Sequence, residues 1–526
     1  MRIAITGAGG VLGRALMTAL ETAHDVRALA GDPRDPGAAD LLLEDRDALI
    51  HLDAMDTDPA TDQARDALDR SARGTYVLCR SAIDHGVHRV VVGSSLDLLH
   101  AYPGSWAVSE DWQPRPDVND VRQLALHLTE QSARQFVFFE PLQVICLRFG
   151  DIVRESTAPG WTQVHVDDAV QAVQKALTAQ LHLRTDEARA GHGLPHGWRV
   201  YHIPGAGNTR IPLAGARAGL GYAPEHDLAP GALPAPSDAE RRGDLALIGP
   251  SSAVPSRAIR RVVVFGAGGP LGAATSRVLA PSYQLRLTDL HAIGDIIARN
   301  QPQSPGAPLP DLPQPPHESR QVDVTELGQV VEACEGMDAV INCTVIRPDL
   351  EQAFLVNCIG AYNVMRAAVT HRIRRVVHTG PLQVSSEWPA GYGMDFDVPD
   401  EAPGRAGGWL YGHSKFLGQE LVRLFAEAYD LEVPALYFSI FVNPETAEPR
   451  PGGVHPMTIS WDDAGQAMRR ALEVPSLPSP FEIFHILADL PHGRYSSRKA
   501  QELLGWRPRD TLADLWARRA DARSPA

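Results

Sequence analysis

Short runs of Val, Ile and Leu alternate along the chain with longer stretches whose apolar residues recur at helical spacing. In the second half, "RVVVF", "YQLRLTDL", "DAVINCTV" and "RVVHTG" predict strands, and "NCIGAYNVMRAAVTH" predicts a helix between the last two. Strands that alternate with helices form a parallel sheet covered on both faces, and its buried strands appear as unbroken apolar runs. The pattern therefore predicts an α/β fold with a doubly wound parallel sheet.

The same pattern occurs twice in the chain. "HRVVVGSSL" (88–96) matches "RRVVHTGPL" (374–382), and "HVDDAVQAVQKAL" from His165 matches "SWDDAGQAMRRAL" from Ser460. "LGYAP" (220–224) matches "LGWRP" (504–508), and the matches keep their order. A chain of 526 residues is too long for one core. We therefore expect two tandem Rossmann-type domains, each with a small C-terminal region on the substrate side.

Composition marks the domain boundaries. Residues 229–259 are rich in Pro, Ala, Ser and Gly without apolar periodicity, which predicts a linker. The first domain then covers residues 1–228 and the second covers 260–526. A second Pro-rich stretch, residues 301–317, is interpreted as a surface insertion, because the strand pattern resumes directly after it.

Each predicted domain begins with a strand followed by a glycine-rich turn, "GAGGVLG" or "GAGGPLG". In such a turn the first glycine permits a tight bend, the second lets the backbone approach a pyrophosphate, and the third allows close packing of helix on strand. Placed between a strand and a helix, the motif predicts dinucleotide binding. The candidate glycines are Gly7, Gly10, Gly13, Gly266, Gly269 and Gly272.

An acidic partner distinguishes the two turns. Asp289 ends the second strand of the second domain, where a carboxylate binds ribose hydroxyls and favours NAD over NADP. Asp323 follows the third strand and is a candidate for contact with the adenine. The first domain has Ala30 at the acidic position, with Asp32 two residues later, and its pattern lacks a full third strand and the helix after it. Whether this domain binds any cofactor stays open.

The second domain carries a candidate catalytic pair in "YGHSK". Tyr411 and Lys415 are four residues apart at the start of a long amphipathic stretch, so a helix presents both on one face. A lysine ammonium lowers the pKa of a neighbouring tyrosine and can hold the nicotinamide ribose. Tyr411 would then take a hydroxyl proton while hydride passes to NAD. A surface Tyr–Lys pair is the alternative interpretation.

Taken together, "TGAGGVLG", "FGAGGPLG", "RLTDL", "NCIGAYNV", "YGHSK" and "LGWRP" resemble a tandem of extended short-chain dehydrogenase/reductase domains, the NAD-dependent epimerase/dehydratase group. "LYGHSKFLGQEL" and "MTISWDDAGQAMRRAL" make the second domain most similar to members of the uronate dehydrogenase type. The resemblance implies that Asn357 is a structural asparagine, Tyr411 the base and Lys415 its helper. It also implies NAD as cofactor and a sugar or sugar acid as substrate.

The second domain departs from this family at one position. The family places a serine or threonine after the fifth strand to bind the substrate hydroxyl, whereas this chain has Gly380 and Pro381 there. Thr379 is the candidate replacement, and Ser385 and Ser386 follow a little later.

The first domain shows the reverse departure. It keeps Ser94 and Ser95, but Ser71 replaces the family asparagine. Our alignment places Val118 to Arg122, "VNDVR", opposite "YGHSK". Valine is no base, so we expect the first domain to be catalytically inactive.

No metal site is predicted. His192, His196 and His202 are interpreted as part of a solvated loop, because no cysteine or nearby acid accompanies them. The acidic pairs "DD" at 167–168 and 462–463 precede Ala-rich helices, and capping of the helix N-terminus explains them. The five cysteines lie in apolar segments without a CxxC pair, which predicts buried reduced thiols.

The net charge of the chain bears on which kinds of partner it can bind. A net charge of −15 argues against a nucleic-acid or anionic-membrane surface. The first strand begins at Arg2, leaving no room for a signal peptide, and no run is long enough to span a bilayer. We expect a cytoplasmic protein with a small-molecule substrate.

Two hypotheses remain for the whole chain. In one, the second domain is an NAD-dependent oxidoreductase or epimerase; in the other, both domains keep the fold without the chemistry, as a pseudoenzyme, sensor or scaffold. Family members commonly dimerise through two helices, which here occur near residues 67–85, 118–136, 354–371 and 411–429. Apolar residues recur at helical spacing on these helices: Leu124, Leu128, Phe416, Leu417, Leu421 and Leu424. We therefore expect an intramolecular pseudo-dimer in which the first domain serves as a built-in partner.

Overall fold

The computed structural model describes residues 1–155, 162–181, 197–226, 228, 235–242, 253–381, 398–447, 454–491, 494–510, 512 and 515. The chain divides into two compact units, Met1–Gly249 and Pro250–Ala526. The division falls inside the segment that the sequence analysis interpreted as a linker.

The first unit is built on a parallel sheet of six strands in the order β2-β1-β3-β4-β5-β8. A separate two-stranded sheet pairs β6 with β7. The strands are β1 (Arg2–Thr6), β2 (Asp25–Ala28), β3 (Ala48–His51), β4 (Arg89–Ser95), β5 (Gln143–Phe149), β6 (Ile152–Val153), β7 (Val164–His165) and β8 (Trp198–Ile203). The α-helices are Val11–Leu20, Pro36–Leu43, Ala64–Asp69, Thr75–Asp84, Val121–Phe136, Val166–Thr178, Ala214–Leu220 and Asp238–Arg241.

The second unit repeats this plan with a parallel sheet of seven strands, in the order β11-β10-β9-β12-β13-β14-β17. Strands β15 and β16 form a small sheet of their own. The strands are β9 (Arg261–Phe265), β10 (Gln284–Asp289), β11 (Glu318–Gln321), β12 (Ala339–Asn342), β13 (Arg375–Pro381), β14 (Val433–Phe438), β15 (Ile440–Val442), β16 (Thr458–Ser460) and β17 (Phe481–His485). The α-helices are Pro270–Leu279, Ile293–Arg299, Leu327–Cys334, Leu350–Phe354, Gly360–Thr370, Leu410–Tyr429, Trp461–Glu473 and Arg498–Leu503.

Both units are thus Rossmann-type doubly wound sheets, which confirms the predicted fold class. All pairings within the two large sheets are parallel. Apolar strand residues such as Ile5 and Val264 are fully buried beneath the helices Val166–Thr178 and Trp461–Glu473, respectively. Burial on both faces is the physical reason that the strands appeared as unbroken apolar runs.

The two units differ at one edge of the sheet. Strand β11 has no counterpart in the first unit, as the sequence analysis predicted. The prediction that its following helix is also missing was wrong, because Pro36–Leu43 precedes β3 as Leu327–Cys334 precedes β12. Within residues 25–51, all of which are described, the other missing element is a counterpart of the helix Ile293–Arg299.

The matching motifs "LGYAP" and "LGWRP" have a common structural cause. Each follows a short helix and places its glycine in the left-handed region, with φ of +68° at Gly221 and +64° at Gly505. Glycine adopts this conformation without the steric cost of a side chain, so it ends the helix.

The predicted linker is not uniform. The helix Asp238–Arg241 lies within it and carries a capping box between Ser237 and Glu240. Further along, Val254 donates its backbone N–H to the carbonyl of Tyr429 at 3.0 Å. This segment therefore packs on the second unit before β9 begins. The Pro-rich residues 301–317 are mostly exposed, in keeping with a surface insertion.

All five cysteines are free thiols, four of them buried. Among the residues that the structure describes, no helix is long and apolar enough to cross a membrane.

Candidate active site of the second unit

A cavity of about 660 Å³ lies at the carboxyl edge of the seven-stranded sheet. It opens beside β9 and β12, where the strand order reverses direction and where ligands of doubly wound sheets bind. Its lining includes eight residues that the sequence analysis singled out: Gly266, Gly269, Gly272, Asp289, Asp323, Thr379, Tyr411 and Lys415.

The glycine turn forms one end of the cavity. Gly266 has φ of +76°, and a Cβ there would lie 3.0 Å from the backbone of Cys343 and Thr344. A Cβ at Gly272 would overlap the carbonyl oxygen of Gly266, so helix and strand approach closely only because both residues are glycine. A Cβ at Gly269 would meet nothing nearer than 3.4 Å. Gly269 thus leaves space at the start of the helix Pro270–Leu279, where no side chain caps the backbone N–H groups.

Asp289 stands beside this turn at the end of β10. Its carboxylate accepts hydrogen bonds from the backbone N–H groups of Gly268 at 3.0 Å and His291 at 3.4 Å. Burial raises the pKa of Asp289, and these hydrogen bonds oppose the shift. Asp323 lies two residues beyond β11, where its carboxylate accepts the N–H of Thr325 at 2.9 Å. Both acids line the cavity and are half-buried.

Tyr411 forms part of the opposite end of the cavity, in the first turn of the helix Leu410–Tyr429. Burial raises the pKa of its phenol, and the charge of Arg347 together with a hydrogen bond from it acts in the opposite direction. The Arg347 guanidinium carbon lies 5.1 Å from the centroid of the Tyr411 ring. Arg347 is therefore the cation that most directly favours the phenolate, and the sequence analysis did not single it out.

Lys415 lies one turn further along the same helix and is 4% exposed. Its ammonium donates to the carbonyl of Thr344 at 3.4 Å, while burial lowers the pKa of Lys415 to about 8. Burial lowers the pKa of His378 well below its usual value, and the charge of Lys415 lowers it further. Burying this ammonium destabilises the fold, which is why its pKa is lowered. Such a shift is typical of functional sites rather than of surface pairs.

The departure at Gly380 has a steric cause. A Cβ at Gly380 would lie 2.7 Å from the ring of Tyr437, a fully buried residue of β14 that donates its hydroxyl to Gln419. The neighbouring Thr379 is 7% exposed and donates its hydroxyl to the carbonyl of Asn342 at 2.8 Å. The hydroxyl of Thr379 therefore has only lone pairs left for another group. Ser385 and Ser386 lie outside the described residues.

Asn357 connects two segments of the site. Its amide accepts the N–H of Ile346 at 3.1 Å and donates to the Ile346 carbonyl at 2.7 Å. It also donates to the Ser414 hydroxyl at 3.0 Å. The loop that carries Arg347 is thereby fixed against the helix that carries Tyr411, which agrees with a structural role for this asparagine.

Three aromatic residues of the lining were also missed by the sequence analysis. Trp409 meets the Tyr411 ring edge-on at 5.1 Å between centroids, and Phe441 stacks on Trp461 at 4.3 Å. A detectable signal was their position after β13 and β14 and at the starts of long helices, since residues beyond the carboxyl ends of parallel strands line ligand crevices.

The glycine turn of the first unit has the same backbone conformation as that of the second unit, but different side chains lie beside it. Gly7 has φ of +66°, and a Cβ at Gly13 would overlap the carbonyl oxygen of Gly7. A Cβ at Gly10, however, would overlap the carboxylate of Asp56. Burial raises the pKa of Asp56 to about 6, and Asp53 raises it further. An acidic side chain thus covers the glycine that faces open space in the second unit.

The ribose-binding acid also has no counterpart here. The strand registers of the two sheets make Ala30 the positional equivalent of Asp289, as the sequence analysis inferred. The carboxylate of Asp32 is paired with Arg34, whose guanidinium donates to both of its oxygens. That ion pair lowers the pKa of Asp32.

Our alignment of the catalytic helix was wrong by four residues. The helix of the first unit begins at Val121, as its counterpart begins at Leu410. Its buried Glu130 contacts Arg148 of β5, as Gln419 contacts Tyr437 of β14. The sequence offered no marker of this register, because charged residues replace the neutral pair. By this register Arg122 is the equivalent of Tyr411, and Leu126 is the equivalent of Lys415. The first unit therefore still lacks both catalytic candidates. Val118 lies before the helix.

The histidines interpreted as a solvated loop are not all in a loop. His202 lies in β8, fully buried, and burial lowers its pKa to about 3. His192 and His196 lie outside the described residues. The acidic pairs lie in the first turns of their helices, but the prediction that they cap the helix N-termini was wrong. The side chains of His165 and Ser460 accept the first-turn N–H groups instead. The carboxylates of Asp168 and Asp463 accept backbone N–H groups of later segments.

Residues 262–468 match the model of the NAD dependent epimerase/dehydratase family. An L-arabinose 1-dehydrogenase (NAD(P)(+)) of Haloferax volcanii is 26% identical over 48% of this chain and 98% of the relative. A uronate dehydrogenase of Agrobacterium fabrum is 26% identical over 36% of this chain and 66% of its own length.

Among solved structures, uronate dehydrogenase from Agrobacterium tumefaciens is 25% identical with a TM-score of 0.37, over 48% of this chain and 85% of that one. A glucuronic acid dehydrogenase from Chromohalobacter salexigens is 24% identical with a TM-score of 0.38, over 48% and 86%. The glycine turn at Gly266 and the motif around Tyr411 both fall within the segment that matches the family model. Residues 262–468 of this chain therefore match the NAD dependent epimerase/dehydratase family, as the sequence predicted for the second domain.

Proposed function

We propose that the second unit catalyses the NAD-dependent oxidation of a secondary hydroxyl on a sugar or sugar acid. One observation carries the proposal: a single cavity joins the open glycine turn and Asp289 to Tyr411 and Lys415. The curated relatives at 26% identity, an L-arabinose 1-dehydrogenase and a uronate dehydrogenase, support this reaction class.

The residues at the turn fit a dinucleotide. Gly269 leaves room for a pyrophosphate at a helix start whose N–H groups have no side-chain cap. The Asp289 carboxylate, which lines the same cavity, would accept ribose hydroxyls and repel a 2′-phosphate, and this supports NAD over NADP. NAD bound here supplies the hydride acceptor.

Tyr411 acts on the substrate hydroxyl. Its phenolate takes the hydroxyl proton as the carbinol carbon gives up hydride, so the products are a carbonyl compound, the reduced cofactor and a neutral Tyr411. Arg347 stabilises the phenolate from above the ring. Lys415 provides a second positive charge in the same cavity.

The charge of the lining supports an acidic sugar as substrate. Of its acids, Asp289 ends β10 and Asp323 follows β11, whereas Arg347 and Lys415 line the part of the cavity that contains Tyr411. Among the described residues no carboxylate forms an ion pair with Arg347, which is exposed. A guanidinium binds a carboxylate through two parallel hydrogen bonds. A uronic acid placed with its hydroxyl at Tyr411 would satisfy this cation.

The test uses the full chain with NAD and two matched sugar series, neutral aldoses and the corresponding uronic acids, with NADH formation as readout. We expect turnover with at least one series and a lower KM for the acids. Turnover with aldoses alone would contradict the acidic-sugar assignment while leaving the dehydrogenase assignment intact.

A second candidate function is a dinucleotide-binding pseudoenzyme or sensor. The engagement of Thr379 with Asn342 favours it, since the substrate hydroxyl then lacks a dedicated hydroxyl donor. NAD binding by calorimetry without turnover of any sugar in either series would select this function.

A further inference from the structure

Outside the cavity, one group of side chains in the first unit has the composition of a metal site. His165, Asp167 and His226 offer ligand atoms that all lie within 4.8 Å of one another. Asp167 Oδ2 is 3.6 Å from His165 Nδ1 and 3.9 Å from His226 Nε2. Ligand atoms around a tetrahedral zinc ion lie about 3.3 Å apart, given metal–ligand distances of about 2.0–2.1 Å. The three groups are therefore already close to ion-binding separation.

The remaining nitrogen of each imidazole has an acceptor as its partner. His165 Nε2 lies 2.9 Å from the carbonyl of Arg154, and His226 Nδ1 lies 3.2 Å from the carboxylate of Asp168. Carbonyl and carboxylate oxygens only accept hydrogen bonds, so these nitrogens carry the protons. The lone pairs then remain on the two nitrogens that face Asp167. Metal-binding histidines have this arrangement, in which an outer oxygen fixes the tautomer and the ring.

The outer carboxylate is itself firmly held. Asp168 is 1% exposed and accepts the backbone N–H groups of Glu225 at 2.8 Å and His226 at 3.2 Å. It therefore holds the segment that carries His226 and sets the tautomer of that ring.

The second unit provides an internal comparison. Its Asp463 likewise accepts the N–H groups of Arg509 and Asp510, each at 2.9 Å. At the positions of His165 and His226, however, the second unit has Ser460 and Asp510. The fold thus uses the buried acid in both units, and the two imidazoles are an addition in the first.

We propose that His165, Asp167 and His226 bind a divalent transition-metal ion of the Zn²⁺ type, with water completing the coordination. Two imidazoles and a carboxylate suit Zn²⁺ and Co²⁺ better than the hard cations Mg²⁺ and Ca²⁺. The ion links the start of the helix Val166–Thr178 to the segment that follows the helix Ala214–Leu220.

Binding requires a local rearrangement that the site permits. The two rings stack at 3.7 Å with 18° between their planes, so each must turn about its Cβ–Cγ bond to direct its lone pair at one ion. The side chains of His226 and Asp167 are 40% and 68% exposed, which leaves room for this movement. His165 Nδ1 also accepts the Asp167 N–H at 3.2 Å, and metal binding would require water to replace that bond.

The experiment uses the full chain after treatment with a chelator and dialysis. Zn²⁺ binding is followed by calorimetry, and Co²⁺ binding by its visible absorption. We expect the native chain to bind one ion more than His226→Gln or Asp167→Asn, or to bind that ion at least 10-fold more tightly. The matched control is Asp462→Asn, at the equivalent position of the second unit, which should bind as the native chain does.

The outcomes separate the site from background binding by other histidines. Loss of one ion in both first-unit variants, with the control unchanged, would establish the site. Equal stoichiometry and equal Co²⁺ spectra in all four proteins would overturn the proposal, as would the absence of Zn²⁺ binding by the native chain. Because both substituted side chains are exposed, circular dichroism should find all four proteins equally folded.

Discussion

The guanidinium of Arg347 lies over the ring of Tyr411, 5.1 Å from its centroid, and its charge opposes the rise that burial causes in the pKa of the phenol. Arg347 comes from the loop after β12 and Tyr411 from the helix Leu410–Tyr429, and Asn357 bonds to both segments. The pair connects a candidate base to a cation that lacks an ion-pair partner among the described residues. Arg347 is therefore expected to affect both the pKa of the base and the preference for a negatively charged substrate.

Replacing Arg347 should move the pH dependence of the reaction. Arg347 lowers the pKa of Tyr411, so Arg347→Gln raises it. The phenolate then forms at higher pH, and the rising limb of kcat for hydroxyl oxidation shifts to the alkaline side. Arg347→Lys should shift it less, and Arg299→Gln, another arginine of the lining, should leave it in place. An unmoved limb in Arg347→Gln would show that this cation does not act on the base.

Removing the hydroxyl of Tyr411 should lower the rate of hydroxyl oxidation without weakening NAD binding. Tyr411→Phe should lower kcat by roughly 100-fold or more, the usual scale for losing a general base, while NAD binding measured by calorimetry persists. Tyr362→Phe, a buried tyrosine of the helix Gly360–Thr370, is the control and should retain activity. Full turnover by Tyr411→Phe would rule out the proposed mechanism.

Lys415 should lower the stability of the fold. Its pKa is about 8 in the folded chain against 10.5 in the unfolded one, so the unfolded state binds more protons between these values. The cost is fully present below pH 8 and decreases as pH rises toward 10.5. Lys415→Met should therefore raise the free energy of unfolding by about 1–3 kcal/mol at neutral pH. It should also abolish turnover, because the cation that helps Tyr411 is lost.

Urea titrations of both proteins at pH 7 and at pH 10 test this assignment. We expect the difference between them to shrink at the higher pH. A Lys415→Met chain that is less stable at both values would contradict the buried-charge argument.

Cofactor choice should depend on one carboxylate. Asp289→Ser removes the group that disfavours a 2′-phosphate, so the preference for NAD over NADP in calorimetric titrations should diminish. The control is Asp32→Ser in the first unit, whose carboxylate is already paired with Arg34. Because Asp56 covers Gly10, we expect one cofactor per chain rather than two. Two equivalent sites, or tighter NADP than NAD binding by the native chain, would refute these assignments.

The role proposed for the first unit concerns assembly. We propose that it serves as a built-in partner through the helices Thr75–Asp84 and Val121–Phe136, with Gly360–Thr370 and Leu410–Tyr429 as their counterparts. Mass measurement should then find the full chain as a monomer, whereas residues 250–526 alone should self-associate or aggregate. A soluble, monomeric and fully active second unit on its own would exclude this role.

The sequence by itself determined the features that depend on neighbours in the chain. The glycine turns, Asp289 at a strand end and the four-residue spacing of Tyr411 and Lys415 follow from strand and helix periodicity, which local residues set. The fold class followed from the same periodicity, because buried parallel strands appear as unbroken apolar runs. The duplication followed from matching segments that keep their order in both halves of the chain.

Only the tertiary structure decided which distant side chains meet. Asp56 lies on Gly10, and Tyr437 occupies the space that a side chain at Gly380 would need. Nothing in the chain marks either contact, because each joins residues on different elements whose approach is set by packing. The same reason explains why the helix register was wrong and why Arg347 was missed: sequence spacing fixes a residue's face on its own helix or strand, while close packing decides what that face contacts.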